Sequence, residues 1–458
     1  MGRVRWLESL VFLVSLTVIC AQIDDFFDLR GPYCETNNAC CNGRQDHCSV
    51  PILGTLCYCD DFCNSTGTHF DCCPDYWTYC KGLPLPTTYA PPTTTRPSDP
   101  LPLLYCSHKG QQYQPRKPFQ DNCNRCECTV SGTKAILECE DNICLQDERI
   151  IETVNRSPNY GWTAANYSEF WGRTLSDGIS LRLGTIEPKE VVMRMQPVIK
   201  VYDPTALPRS FDSLEKWPSW ILPIQDQLWC GSSWAVSTAS VASDRYSIIS
   251  QGREKVQLSA QNLLSCDMNN MKTRDACNGG HLDKAWLFIR KFGLVDEDCF
   301  PYRAKYEHCS IKRKGNWADV GCRPFNPERR HRYKVSPAYR LRNETDIMYE
   351  IEQSGPVQAT IRVYHDFFSY KSGIYQHTDL DLTEPTGYHS VKIVGWGEEY
   401  TSTGLKKYWK VANSWGTKWG ENGYFRILKG VNECDIETFV IGVWPEIEGK
   451  ILTTHHGH

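Results

Sequence analysis

Several features are scarce in this 458-residue chain, and each scarcity closes a possibility. Beyond the first two dozen residues no run of about 18 apolar residues occurs, which leaves no candidate for a later spanning helix. Charge nearly balances, with 50 Lys and Arg against 54 Asp and Glu for a net −4, so net charge favours no polyanionic or polycationic partner, nucleic acid included. There is no Arg-Gly-Asp triplet, so an integrin contact would have to use another surface. Internal repeats are absent outside the cysteine-rich parts. Between Cys144 and Cys230 lie 85 residues without a cysteine, in a chain that has 24.

Where cysteine is present, it is dense. Cys20 falls in the N-terminal stretch "MGRVRWLESLVFLVSLTVICAQ", whose Arg3, Arg5, short apolar run and small Ala21 predict a secretory signal peptide over 1–21. Ten cysteines crowd 34–80, six lie in 106–144 and seven are spread over 230–434. A segment of under 50 residues cannot bury much apolar core, so bridges must hold it together, and dense cysteine behind a signal peptide predicts disulfides in an oxidising compartment. A zinc reading of pairs such as Cys123–Cys126 is the alternative for a cytosolic chain. Sequons at Asn64, Asn166 and Asn343 fit the secretory route, and Asn155 is a fourth that Pro158 follows closely.

The order of textures predicts the domains. Residues 30–81 contain "CYCDDFC" and "DCCPDYWTYC", which resemble a somatomedin B-type module, although ten cysteines exceed that module's usual eight and leave connectivity open. Such modules bind proteins; a plain stapled spacer is the other reading. Residues 82–104, rich in Pro and Thr, predict an extended, O-glycosylated linker. Residues 105–145, with "CNRCEC", resemble a short von Willebrand factor type C-like module. Residues 146–206 and 207–448 have the composition of a globular enzyme, and 449–458 form a tail ending in "HHGH".

The enzyme-like part carries ordered motifs: "LPRSFD", "DQLWCGSSWAVS", "CNGGHLDKAW", "GYHSVKIVGWG" and "VANSWGTKWGENGYFRIL". Together they resemble a papain-type cysteine protease of the cathepsin B branch, with 146–206 as its propeptide. The resemblance implies an α+β, two-lobed fold: a helical half led by a helix over 233–251, a β-barrel-like half, and a cleft between. It also implies roles. Gln227 would stabilise an oxyanion, His389 would act as base, Asn413 would orient it under Trp415, and the nucleophile position is Ser233. Cys230 would be bridged to Cys277. Cys434 would be an unpaired, buried thiol. Cys266, Cys299, Cys309 and Cys322 allow three pairings.

Cysteine is therefore missing at the one position where this chemistry needs it. Three readings of the serine follow. Ser232 or Ser233 caps the helix, which ends at Gly252. Alternatively Ser233 is the nucleophile of a weak secreted hydrolase, although serine needs a stronger base than cysteine and Asn413 offers no carboxylate. Or the cleft is a decoy that binds protease substrates or inhibitors without cutting. The region 299–335 lacks the paired histidines of an occluding loop, so exopeptidase function is unsupported. It is basic, with Lys312, Arg313, Lys314, Arg329, Arg330 and Arg332 among its cations. This is either a solvated loop or a contact for heparin-like glycans.

The whole arrangement resembles the tubulointerstitial nephritis antigen family. What that implies is a secreted, non-proteolytic glycoprotein of basement membranes and an adhesion role. Laminin, collagen IV, fibronectin and integrins would be its partners, with no cofactor, metal or membrane anchor.

Overall fold

The computed structural model describes residues 31–43, 45, 47–52, 55–64, 72–83, 105–131, 134–194, 197–267, 277–311, 322, 332–381, 386–401 and 404–447. Two units are separable, 1–103 and 104–458.

In the first unit a hairpin pairs Ser49–Ile52 with Thr55–Tyr58. Five bridges surround it: Cys34–Cys59, Cys40–Cys80, Cys41–Cys48, Cys57–Cys73 and Cys63–Cys72. Its interior is mostly sulfur: among the described residues Val50, Ile52 and Tyr76 are the other members of its buried hydrophobic core.

The second unit begins with two small sheets. Cys106–His108 pairs with Gln111–Tyr113, and Phe119–Asp121, Asn124–Ser131 and Lys134–Cys139 form a three-stranded meander. Three bridges close it: Cys106–Cys128, Cys123–Cys144 and Cys126–Cys139. This piece is seated on the body: the His365 imidazole lies 2.9 Å from the Cys144 carbonyl, and Asn122 donates to the Gln146 carbonyl at 2.7 Å.

The body has two halves. One is built on the helix Ser233–Ile249, nearly all of whose residues are buried. Small side chains let neighbours approach it from every side. Its buried hydroxyls are satisfied four residues back: Ser237 donates to the Ser233 carbonyl at 2.7 Å, Thr238 to Trp234 at 2.6 Å and Ser243 to Ala239 at 2.7 Å. Helices Ala260–Cys266 and Leu282–Phe292 share its core. The helix ends at Ile249, two residues short of expectation. The chain then reverses through Gln251 and Gly252, both at positive φ, with the Gly252 amide donating to the Ser247 carbonyl.

The other half is a nine-stranded, mostly antiparallel sheet. Its order runs Tyr339–Arg340, Val440–Gly442, Val357–Val363, Gly387–Thr401, Gly404–Ala412, Tyr424–Leu428, Tyr370–Tyr375 and Trp162–Ala164, with Phe211–Asp212 also on Gly387–Thr401. Its core is aromatic, with Trp409, Trp415 and Trp419 all fully buried. Arg245 holds the halves together: its guanidinium donates to Glu350 at 2.8 Å and to the carbonyls of Pro356, Val443 and Gly355. Removing one of these acceptors would leave a buried charge under-compensated.

Residues 146–206 are woven into this body. Trp162–Ala164 adds an edge strand to Tyr370–Tyr375. Phe170, fully buried, meets Trp229, Phe368 and Trp415 edge-to-face.

Candidate active site

The four residues expected at the site are all buried between the halves. Ser233 is the first residue of its helix. Gln227 precedes it on the entering loop, and its amide donates to the Ser414 carbonyl at 2.8 Å. His389 sits on strand Gly387–Thr401 and Asn413 just after Gly404–Ala412. The His389 Nε2 is 2.7 Å from Asn413 Oδ1, and Asn413 Oδ1 also accepts from the Ser414 amide at 2.8 Å. Because Oδ1 can only accept, Nε2 carries the proton and Nδ1 is left with a lone pair; Nδ1 is buried and unpaired. Trp415 lies against the His389 ring at 5.2 Å and stacks on Phe368 at 5.1 Å.

Burial pushes the His389 imidazole down to about 4. The hydrogen bond to Asn413 opposes this, and the Arg182 guanidinium lowers it further. His389 is therefore neutral at pH 7.

The cleft is filled. Residues 183–186 run through it, bridging Gly280 on one wall and Tyr388 on the other through Thr185. The Thr185 amide donates to the Tyr388 carbonyl at 3.1 Å and the Ile186 amide to the Gly280 carbonyl at 2.9 Å. The Leu183 carbonyl accepts from the Gln227 side chain at 3.0 Å and from the Ser233 amide at 3.3 Å. These are the two donors that would stabilise an oxyanion, so the Leu183 carbonyl oxygen occupies their focus. The Ser233 hydroxyl is 2.9 Å from Thr185 Oγ1 and accepts from the Ser390 amide at 3.4 Å. Gly184 permits this approach: at φ +111° a Cβ would lie 2.0 Å from the Gly231 backbone.

Arg182 anchors the plug. It is buried, donates to the Leu228 carbonyl at 2.9 Å and lies 3.3 Å from both Asp226 and Glu169, with Phe170, Trp229 and Trp415 around its guanidinium.

The structure departs from expectation at the helix cap and agrees with it at Cys230, Cys277 and Cys434. Neither serine caps the helix with its side chain: Ser232 is the N-cap residue without a side-chain cap bond, and its hydroxyl instead meets Tyr302 at 2.5 Å. Both hydroxyls find other partners, Tyr302 and Thr185, so the cap position alone did not decide their roles. Cys230 is bridged to Cys277, and the open pairings resolve as Cys266–Cys309 and Cys299–Cys322. Cys434 is a free, buried thiol. Among the basic candidates, Lys312, Arg313, Lys314, Arg329 and Arg330 lie outside the described residues; Arg332 is half-buried and donates to the Phe292 carbonyl at 3.1 Å. Asn166 and Asn343 are exposed, Asn343 capping helix Glu344–Ser354, and the Asn64 side chain lies outside the described residues. The Asn155 amide is engaged with the backbone of Ala164 at 2.9 Å. Sequence reasoning did not single out Leu183, Thr185 or Arg182. The glycine of "RLGT" was the available signal.

Fold and site together define a papain-type peptidase domain whose cleft is occupied by residues 183–186 of the same chain. Comparison agrees: the papain family cysteine protease pattern matches residues 207–444. A procathepsin B from Trypanosoma congolense superposes with a TM-score of 0.55 at 34% identity, covering 66% of this chain and 99% of that one. Over greater length the chain is 44% identical to the human "Tubulointerstitial nephritis antigen-like" protein, across 94% of this chain and 91% of the relative. It is 42% identical to the human "Tubulointerstitial nephritis antigen", across 91% and 88%. The chain belongs to the tubulointerstitial nephritis antigen family.

Proposed function

We propose that this chain is a secreted glycoprotein of the extracellular matrix, acting in adhesion, whose papain-type domain does not turn over peptides. The observation that carries the second half is Ser233 with its hydroxyl on Thr185 rather than on His389. A serine nucleophile must pass its proton to the imidazole, and the imidazolium then needs support. Here burial and the Arg182 guanidinium both oppose that charge, and the orienting group is the amide of Asn413 rather than a carboxylate. A thiolate would need no such transfer in the attack step.

The first half rests on family membership and on disulfide chemistry. Eleven bridges belong to an oxidising compartment, and no helix among the described residues is long and apolar enough to cross a membrane. Basement-membrane proteins such as laminin, collagen IV and fibronectin, and integrins, are the partners this reading carries. Surface-immobilised laminin and collagen IV should retain the full chain; indifference to all four partners would remove the adhesion role.

One observation favours a rival, a serine hydrolase: the His389 Nδ1 lone pair is unpaired and its tautomer suits a base. A fluorophosphonate probe separates the two. Ser233 should remain unlabelled in the intact chain and after the prosegment is cut, and labelling that Ser233→Ala abolishes would establish the enzyme. A decoy cleft is disfavoured because residues 183–186 already fill it.

A further inference from the structure

Outside the cleft, three side chains of different chemistry converge on one point of the sheet half. His377 follows strand Tyr370–Tyr375, and Glu433 and Cys434 lie in the turn after Tyr424–Leu428. The His377 Nδ1 is 2.6 Å from Glu433 Oε1, and the Cys434 thiol donates to the same oxygen at 3.3 Å. All three candidate ligand atoms lie within 4.8 Å of one another. We propose that His377, Glu433 and Cys434 form a binding site for one zinc-class divalent cation.

The donor set is the first reason. Imidazole, carboxylate and thiolate are the ligands of tetrahedral zinc, at about 2.0–2.3 Å, which places ligand atoms roughly 3.3–3.8 Å apart. The His377 Nδ1 and Glu433 Oε1, now 2.6 Å apart, would have to separate to admit the ion. Three protein ligands leave a fourth position for water, and His377, 30% exposed, gives the otherwise buried group its opening to solvent.

The backbone is the second reason. Asn432, Cys434 and Asp435 all have positive φ, at 57°, 50° and 62°. Non-glycine residues take this conformation at a cost. Here it turns the neighbouring Glu433 and Cys434 side chains toward each other, which consecutive residues in extended chain would not do. Tyr364 stacks on the His377 ring at 4.5 Å and fixes its plane.

Charge balance is the third. Glu433 as carboxylate and Cys434 as thiolate supply two negative charges, which a divalent cation neutralises with His377 as a neutral ligand; binding releases the thiol proton to solvent. Asp366, nearby, is already engaged by the Tyr375 hydroxyl at 2.6 Å and the Thr378 amide at 2.7 Å, so it is not counted as a ligand.

The test uses the full chain with tail histidines His455, His456 and His458 replaced by Ala, so that the tail cannot supply imidazoles. One equivalent of Co(II) should give a sulfur-to-metal charge-transfer band that Zn(II) then displaces. Cys434 is the one free thiol among the described residues, so the band reports on it alone. Cys434→Ala should lose the band, and His377→Ala should weaken Co(II) binding on the order of tenfold or more. Should Cys434→Ala fail to fold, alkylation of the native thiol serves instead: Zn(II) should slow it. A Co(II) spectrum without the sulfur band, a band that survives Cys434→Ala, or alkylation indifferent to Zn(II) overturns the proposal.

Discussion

The N-terminal module and the cleft use cysteine in opposite ways. In the module seven of the ten buried core residues are cysteines, and sulfur stands where a larger domain would have leucine and phenylalanine. In the cleft, cysteine is missing from the position that defines the chemistry of the fold, and Ser233 stands there. The body's interior contains five fully buried tryptophans, Trp234, Trp286, Trp409, Trp415 and Trp419. A small module without an apolar core cannot lose its sulfur and stay folded. A large body can replace one site sulfur by oxygen, provided the hydroxyl finds partners, and Thr185 and the Ser390 amide supply them.

The largest expected effect restores sulfur to the cleft. Ser233→Cys, with a cleavage site engineered into 200–206 and the prosegment removed, should react with iodoacetamide or an epoxide inhibitor at the introduced thiol. It would lie at a helix N-terminus beside an imidazole, where thiol pKa falls. Loss of a nucleophile in a comparable machine costs on the order of 10⁶ in rate, so even partial restoration should be visible. With the prosegment still attached, the same thiol should be silent, because the Leu183 carbonyl and Thr185 occupy its approach. A folded, trimmed variant with an unreactive thiol would mean that the cleft has lost more than sulfur.

Removing sulfur from the module is the second test. Its five bridges close separations of 7 to 40 residues. Each contributes about 2–4 kcal/mol, together more than so small a unit can replace from Val50, Ile52 and Tyr76. Mild reduction should therefore open 31–83 to proteolysis while the near-UV signal of the body's tryptophans persists. Simultaneous loss of both would show that the body depends on its three bridges as heavily as the module does on its five.

What the sequence made legible follows the same line. Gln227, Ser233, His389 and Asn413 could be read because each sits in a local motif, and the structure brings all four to one cleft. The Cys230–Cys277 bridge came with that frame. The occupant of the cleft could not be read in the same way: the Leu183 oxygen is a backbone atom 44 residues from Gln227, and no residue type announces where a carbonyl will point. Pairing among Cys266, Cys299, Cys309 and Cys322 stayed open because spacing does not determine which chain segments pack together. The capping expectation failed at Ser232 because a buried hydroxyl takes the best partner in three dimensions, here Tyr302, over the nearest amide in sequence.

The smallest effect expected here concerns how firmly the prosegment holds, and it turns on His389. Folded, the imidazole is pushed down to about 4; unfolded, it returns to the ordinary value near 6.5. As pH falls through 6.5 the unfolded chain takes a proton that the folded cleft refuses, so stability declines. The decline is complete near pH 4 and amounts to about 3 kcal/mol. His377 acts in the other direction. Its bond to Glu433 raises its pKa, so its contribution is fully present below 6.5 and fades only as pH rises through the raised value. Acid therefore weakens the cleft and leaves the His377 pair intact. Residues 183–186 bond to Tyr388, the neighbour of His389, and to Ser233, so their displacement is the local opening expected to admit a proton at His389 before global unfolding does. Hydrogen exchange at the Thr185 and Ile186 amides, corrected for intrinsic pH dependence, should lose protection between pH 7 and pH 4.5 by more than the core amides of Val357–Val363. His389→Gln, which cannot take up a proton, should flatten that dependence. Equal protection at both pH values, in the native chain, would mean that the prosegment is held independently of the buried imidazole.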